Sequence, residues 1–137
     1  MSYLKEKSEF NADAAQLLID ESLFAPSVHC AYYSVFQLLK YLFTKEKNIS
    51  FNQLSQNIAS GKRNTHQYLI EEFCLYLQTL NNQYFDRYLI TKLEDKVNDL
   101  KQLRVESDYY DAQIDSIKSN KALQISEEII QELKRIR

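Results

Sequence analysis

A chain of 137 residues with 17 basic and 19 acidic side chains, formal net charge −2, has the size of one domain that buries a core without staples. It carries no overall charge to hold nucleic acid irrespective of sequence. Hydrophobic residues at 45% beside 26% charged ones are the composition of a soluble globular protein. One Gly and one Pro leave little material for tight hairpins, and no β-branched run alternates, so the expected class is all-α.

In chain order, a first amphipathic helix is expected from about Tyr3 to Phe24. Phe10, Ala14, Leu17 and Leu18 form its apolar stripe, and Lys5, Glu6, Glu9, Asp13 and Gln16 lie mostly elsewhere. A very short connection before Pro26 makes the next helix its antiparallel neighbour. That helix, Pro26 to Phe43 (PSVHCAYYSVFQLLKYLF), is the most apolar segment. Val28, Tyr32, Val35, Leu39 and Leu42 make one stripe, and Ala31, Leu38 and Tyr41 a second beside it. A helix apolar on two faces needs neighbours on two sides. Pro26 suits its first turn, where the missing N–H has no intrahelical partner to lose.

Ser50 and Gln53 have capping-box spacing and open a short helix carrying Phe51, Leu54 and Ile58, with Gly61 placed as a left-handed stop. Asn64 with Gln67 repeats the box before Thr65 to Leu80, where Leu69, Phe73, Tyr76, Leu77 and Leu80 keep helical period until Asn81 and Asn82 break it. Tyr84 to Arg104 follows with Leu89, Leu93, Val97 and Leu100. Gln113 to Lys118 is a connector. Ser119 or Asn120 caps a last helix whose stripe is Ala122, Ile125, Ile129, Leu133 and Ile136 and whose end carries Lys134, Arg135 and Arg137. The product is a single domain over residues 1–137, a bundle of five helices plus one short extra helix.

Chemistry is sparse. With one glycine there is no phosphate-cradling loop of the Walker or dinucleotide-binding kind. Cys30 and Cys74 lie on separate apolar stripes without C-x-x-C spacing and read as reduced thiols of a cytoplasmic protein. His29 beside Cys30 lacks a second ligand pair, so no metal and no cofactor are expected. No apolar leader opens the sequence and no run is long enough for a membrane. His29 and His66 are the only bases that ordinarily titrate near neutrality. Their plain readings are a partly buried group facing a neighbouring helix for His29 and a local hydrogen bond in a first turn for His66.

Ten tyrosines without a tryptophan place hydroxyls on apolar stripes, where each needs a partner; they also offer faces on which a base can stack. Arg104 falls between Leu93 and Val97 on the apolar face of its helix, at about 100° per residue. An Arg in a last turn complements the helix dipole. Glu106, Ser107, Asp108, Tyr109, Tyr110 and Asp111 follow it at loop spacing, however, and residues of these types can hold a guanidinium in a cleft. Arg104, Asp108 and Tyr109 are therefore expected to form one polar site, with Tyr110 and His66 as further candidates.

The order of these pieces, "SVHCAYYSVFQLLKYLF", then "THQYLIEEF", then a long helix ending in "LRVESDYY", resembles the HEPN superfamily of helical domains over nearly the whole chain. The resemblance rests on Ala31, Tyr32, Tyr33 and Phe36, on Thr65, His66 and Phe73, and on Arg104, Asp108 and Tyr109. It implies an up-and-down bundle of four or five helices, usually a homodimer, with the motif in a cleft at the dimer interface. RNase-active members carry Arg, four to six residues, then His. Here four residues after Arg104 lead to Tyr109, and no His follows. A phenol exchanges protons poorly at neutral pH. Other members pair with a minimal nucleotidyltransferase, in toxin–antitoxin modules or as the helical half of a nucleotide-transferring enzyme, and in some a Tyr of the motif receives nucleotidyl groups. Three readings follow. The favoured one is a noncatalytic subunit of a toxin–antitoxin or defence-type module that binds a nucleotide, RNA or a nucleotidyltransferase through Arg104 to Tyr110. The others are a ribonuclease using Arg104 with Tyr109 or His66, and a structural interaction module.

Overall fold

A computed structural model describes residues 2–80 and 86–135. They form six helices: α1 (Leu4–Asp20), α2 (Phe24–Lys47), α3 (Phe51–Ala59), α4 (Thr65–Thr79), α5 (Arg87–Tyr109) and α6 (Ser116–Leu133). No strand occurs among the described residues. Five long helices and the short α3 make an all-α bundle. α2 is the central member, touching α1, α4, α5 and α6. Its Val28, Ala31, Tyr32, Val35, Leu39 and Phe43 are all buried.

α1 and α2 form an antiparallel hairpin across Glu21, Ser22 and Leu23, with Ser22 at φ 58° in the left-handed region. Its contact departs from the sequence expectation. Phe10 and Leu17 are each 62% exposed, while Ser8 and Ala15 face inward. Small residues let the two backbones approach, and the buried hydroxyls are satisfied across the gap: Ser27 Oγ donates to the Ala15 carbonyl at 2.7 Å, and Ser8 Oγ donates to the Ser34 carbonyl. Ser34 Oγ in turn meets Ser126 Oγ of α6 at 2.9 Å. Close approach and hydrogen bonding thus select the buried face of α1 over its larger side chains.

The caps explain where the other helices start. Ser50, Asn64, Asp86 and Asp115 each accept from the backbone N–H three residues on. The capping boxes are half formed, because Gln53 and Gln67 turn outward to Asn57 and Glu71 instead of reaching back. Gly61 does not take a left-handed conformation; Asn48, at φ 53°, does so at the end of α2. Asp115, not Ser119 or Asn120, caps the last helix, so Ser119 lies buried inside it. Ile90 takes the inward position expected of Leu89, which is 39% exposed. The expectations for Asn81, Asn82, Tyr84, Ile136 and Arg137 fall outside the described residues.

α3 gives up little surface to the core, mainly Leu54, and returns the chain so that α4 runs alongside α2 in the same direction. His66 at the start of α4 meets Tyr32, and Tyr76 further along meets Glu46. α5 and α6 make a second antiparallel hairpin, tied by Lys96 to Glu132 at 2.7 Å and by Lys118 to Glu106. Leu39, 2% exposed at the middle of α2, is expected to cost about 2–5 kcal/mol when replaced by Ala. Leu17→Ala on the outer face of α1 is expected to cost under about 0.5 kcal/mol. Urea melts of the two variants read this difference directly.

Candidate functional site

Arg104 lies on the inward stripe of α5, in line with Val97 and Leu100, and is only 5% exposed. A buried guanidinium needs compensation. Here it comes chiefly from aromatic rings: Cζ of Arg104 sits 5.1 Å from the ring centre of Tyr32 and 5.5 Å from those of Tyr33 and Tyr109. Nη1 donates to the Tyr109 hydroxyl at 3.2 Å and stands 3.6 Å from Asp108 Oδ2. Burial works against the charge, but Tyr33, Tyr109 and Tyr32 outweigh it and hold the guanidinium pKa above its ordinary value. Nε is buried without a hydrogen-bond partner among the described residues.

α5 does not stop at Arg104. It runs on to Tyr109, so Asp108 is one turn further along the same helix and not in a loop. Two contacts hold this last turn against its neighbours. Ser107 Oγ donates to the Ala25 carbonyl in the first turn of α2 at 2.8 Å, and Lys118 of α6 pairs with Glu106.

Tyr32 is fully buried, and its hydroxyl lies 2.6 Å from His66 Nδ1. Burial pushes the Tyr32 phenol above its ordinary range, and the opposing charge of Arg104 does not reverse this. Burial, then the charges of Arg104 and Lys101, lower His66 to about 4. A protonated phenol therefore donates to a neutral imidazole. The His66 ring also stacks on Phe36 at 4.3 Å. Its hydrogen bond is long-range rather than local, joining α4 to α2 beneath Arg104.

The structure brings together Arg104, Asp108 and Tyr109 as the sequence suggests, and sets His66 behind them through Tyr32. Tyr110 is the C-cap and 57% exposed, and the guanidinium's hydrogen bond and ring contacts go to other tyrosines. The residue that sequence reasoning passed over is His29. It faces a neighbouring helix as expected, its Nδ1 lying 2.8 Å from Asp108 Oδ2 of α5, but it is exposed rather than partly buried. Its position three residues before Tyr32 on the same face of α2 was the available signal. Cys30 beside it has its thiol raised by burial and then by the Asp108 charge, which keeps it protonated. Among the described residues no group of three or more His, Cys, Asp or Glu side chains is arranged to hold a metal ion, and no helix is long and apolar enough to cross a membrane.

An all-α bundle whose long fifth helix buries an Arg against tyrosines from the second defines the class of helical domain already suggested by the order of motifs. The chain belongs to the HEPN family: the family model described as HEPN domain matches residues 1–136. No curated protein and no solved structure matches the chain.

Because His66 resists protonation in the folded state, the unfolded chain gains a proton on it near pH 6.5 while the folded chain does so only near 4. Stability from this group is present above pH 6.5 and is lost as pH falls through that window. Urea midpoints of the wild type are expected to fall more steeply between pH 7 and pH 4.5 than those of His66→Gln.

Proposed function

We propose that this HEPN protein binds a phosphate-bearing ligand, a nucleotide or single-stranded RNA, at Arg104. The observation that carries this reading is the guanidinium itself: a permanent charge held almost out of water, with Nε unpaired among the described residues and Nη1 on a phenol of Tyr109 that is 72% exposed. Tyrosines are weak partners for a guanidinium, and a phosphate oxygen is a strong one. Tyr109 and Tyr110, both exposed on the same turn, supply faces on which bases stack.

The proposal extends to the setting that the family resemblance implies. The protein acts as a binding subunit of a toxin–antitoxin or defence-type module, as a symmetric homodimer and beside a minimal nucleotidyltransferase. A homodimer is supported by the exposed aromatic turn at Tyr109 and Tyr110 next to the site, of the kind enriched where protein surfaces meet. Light scattering across micromolar concentrations is expected to give twice the chain mass, and a monomer throughout removes this part of the proposal.

The ligand claim is tested by fluorescence anisotropy with a labelled single-stranded oligoribonucleotide and, separately, a labelled nucleotide. Losing a charged hydrogen-bond donor is worth about 1.5–3 kcal/mol, so Arg104→Gln is expected to weaken binding by about ten-fold or more. Gln retains enough side chain to fill the pocket, whereas Arg104→Ala leaves a cavity at a buried position and confounds binding with stability. Unchanged binding in a folded Arg104→Gln protein leaves the guanidinium a structural group and the protein an interaction module.

A further inference from the structure

We infer that the outer face of α1 is a docking surface for a basic amphipathic helix of another protein, seated on the ridge of Tyr3, Phe10 and Leu17 and held by the acidic row of Glu6, Asp13 and Asp20. The inference goes beyond the Arg104 reading and does not depend on it.

The hydrophobic pattern of α1 and its burial point in different directions. By periodicity Phe10 and Leu17 belong to a core-facing stripe, yet the core takes Ser8 and Ala15, and Tyr3, Phe10 and Leu17 are left exposed. The three large side chains recur every seven residues, so each is turned only about 20° from the last and together they make one ridge. Over fourteen positions the ridge runs about 21 Å along the helix. Ala14, four residues after Phe10 and three before Leu17, adds a small apolar neighbour. Single exposed hydrophobic residues are ordinary, but a continuous apolar ridge marks a surface that another protein covers.

Glu6, Asp13 and Asp20 each follow one of these side chains by three residues, which puts each carboxylate beside its apolar neighbour on the helix surface. All three are exposed, and with Glu9 they set four carboxylates against the two lysines of α1. None of the four forms an ion pair among the described residues. The other side of the ridge differs. There Asn11 Nδ2 donates to Gln37 Oε1 of α2 at 2.8 Å, and Lys7, four residues after Tyr3 and three before Phe10, borders the apolar row.

These flanks choose the occupant. A helix fits an apolar ridge of heptad spacing, because its own side chains repeat at the same interval. Its flank toward Glu6, Asp13 and Asp20 has to carry Lys or Arg, since carboxylates drawn into the edge of a closing apolar contact are costly unless paired. A second copy of α1 does not meet this requirement. Laid antiparallel about a two-fold axis it sets acid against acid, and laid parallel it offers each acidic row one lysine, Lys7. An anionic membrane surface is repelled by the same carboxylates.

The test uses the full chain and two labelled synthetic peptides of about three heptads each, both with leucine along one face, one flanked by lysine and the other by glutamate. Fluorescence anisotropy is expected to show saturable binding of the lysine peptide, weakened by salt, and none of the glutamate peptide. Phe10→Ser with Leu17→Ser is expected to weaken binding about ten-fold or more, as removal of central anchors does. Glu6→Gln with Asp13→Asn and Asp20→Asn is expected to weaken it about three- to ten-fold and to flatten its salt dependence. All five positions are exposed, so the urea midpoints of both variants stay near that of the wild type. A lysine peptide that is not bound, or that binds the Phe10→Ser, Leu17→Ser protein as well as the wild type, overturns the inference. Equal binding of the glutamate peptide does the same. If light scattering shows that Phe10→Ser with Leu17→Ser halves the mass of the particle, a second copy covers this face and the inference falls. The Arg104 reading stands or falls separately, on the oligonucleotide and nucleotide measurements.

Discussion

The apolar faces of α2 have to be covered, and this single demand arranges the rest of the molecule. α1 covers it through small residues and serine hydroxyls, α6 through Ser126 and its apolar stripe, and α4 and α5 through larger side chains. The first half of α2 carries Tyr32, fully buried, and a phenol in a core brings a hydroxyl that needs a partner. His66 at the beginning of α4 and Arg104 near the end of α5 converge on it from two sides. The polar site is thus the consequence of placing a tyrosine on a fully buried position of the central helix.

Burial decides the chemical character of each member. Deep placement keeps Tyr32 protonated and His66 neutral, so the two act as a fixed donor and acceptor rather than as charges. Arg104 cannot shed its proton and is stabilised by ring faces, which leave its hydrogen-bonding capacity incompletely used. His29 and Asp108, toward the surface, are the members that a solvent-borne molecule meets first.

The long helices were legible because periodicity is a local signal, the caps Ser50 and Asn64 because they open clear box spacings, and Arg104 because a charge on an apolar stripe is a local contradiction; the caps Asp86 and Asp115 were not read. The face of α1 was not legible. Large side chains outweigh serine and alanine in any hydrophobic pattern, whereas the packing turned on how closely two backbones approach through Ser8, Ala15, Ser27 and Ser34. Asp108 and Tyr109 were read as loop because polar residues interrupt the stripe, yet α5 persists there through the side-chain ties of Ser107 and Glu106 to other helices. His29 was weighed as a base but not placed in the site for a related reason: its partner is 79 positions away, and nothing in its own neighbourhood reports that carboxylate.

That separation bears on how the protein assembles. The α1–α2 and α5–α6 hairpins close short loops, whereas the pairing of His29 with Asp108, like the stacking of Arg104 on Tyr32, joins one hairpin to the other across most of the chain. Loop-closure entropy favours the local hairpins early and makes contacts of long sequence separation late. The chemistry-bearing cluster is then absent from partly folded chains and comes into being with the final docking of two preformed halves, so that a nascent or damaged chain carries the residues without the site.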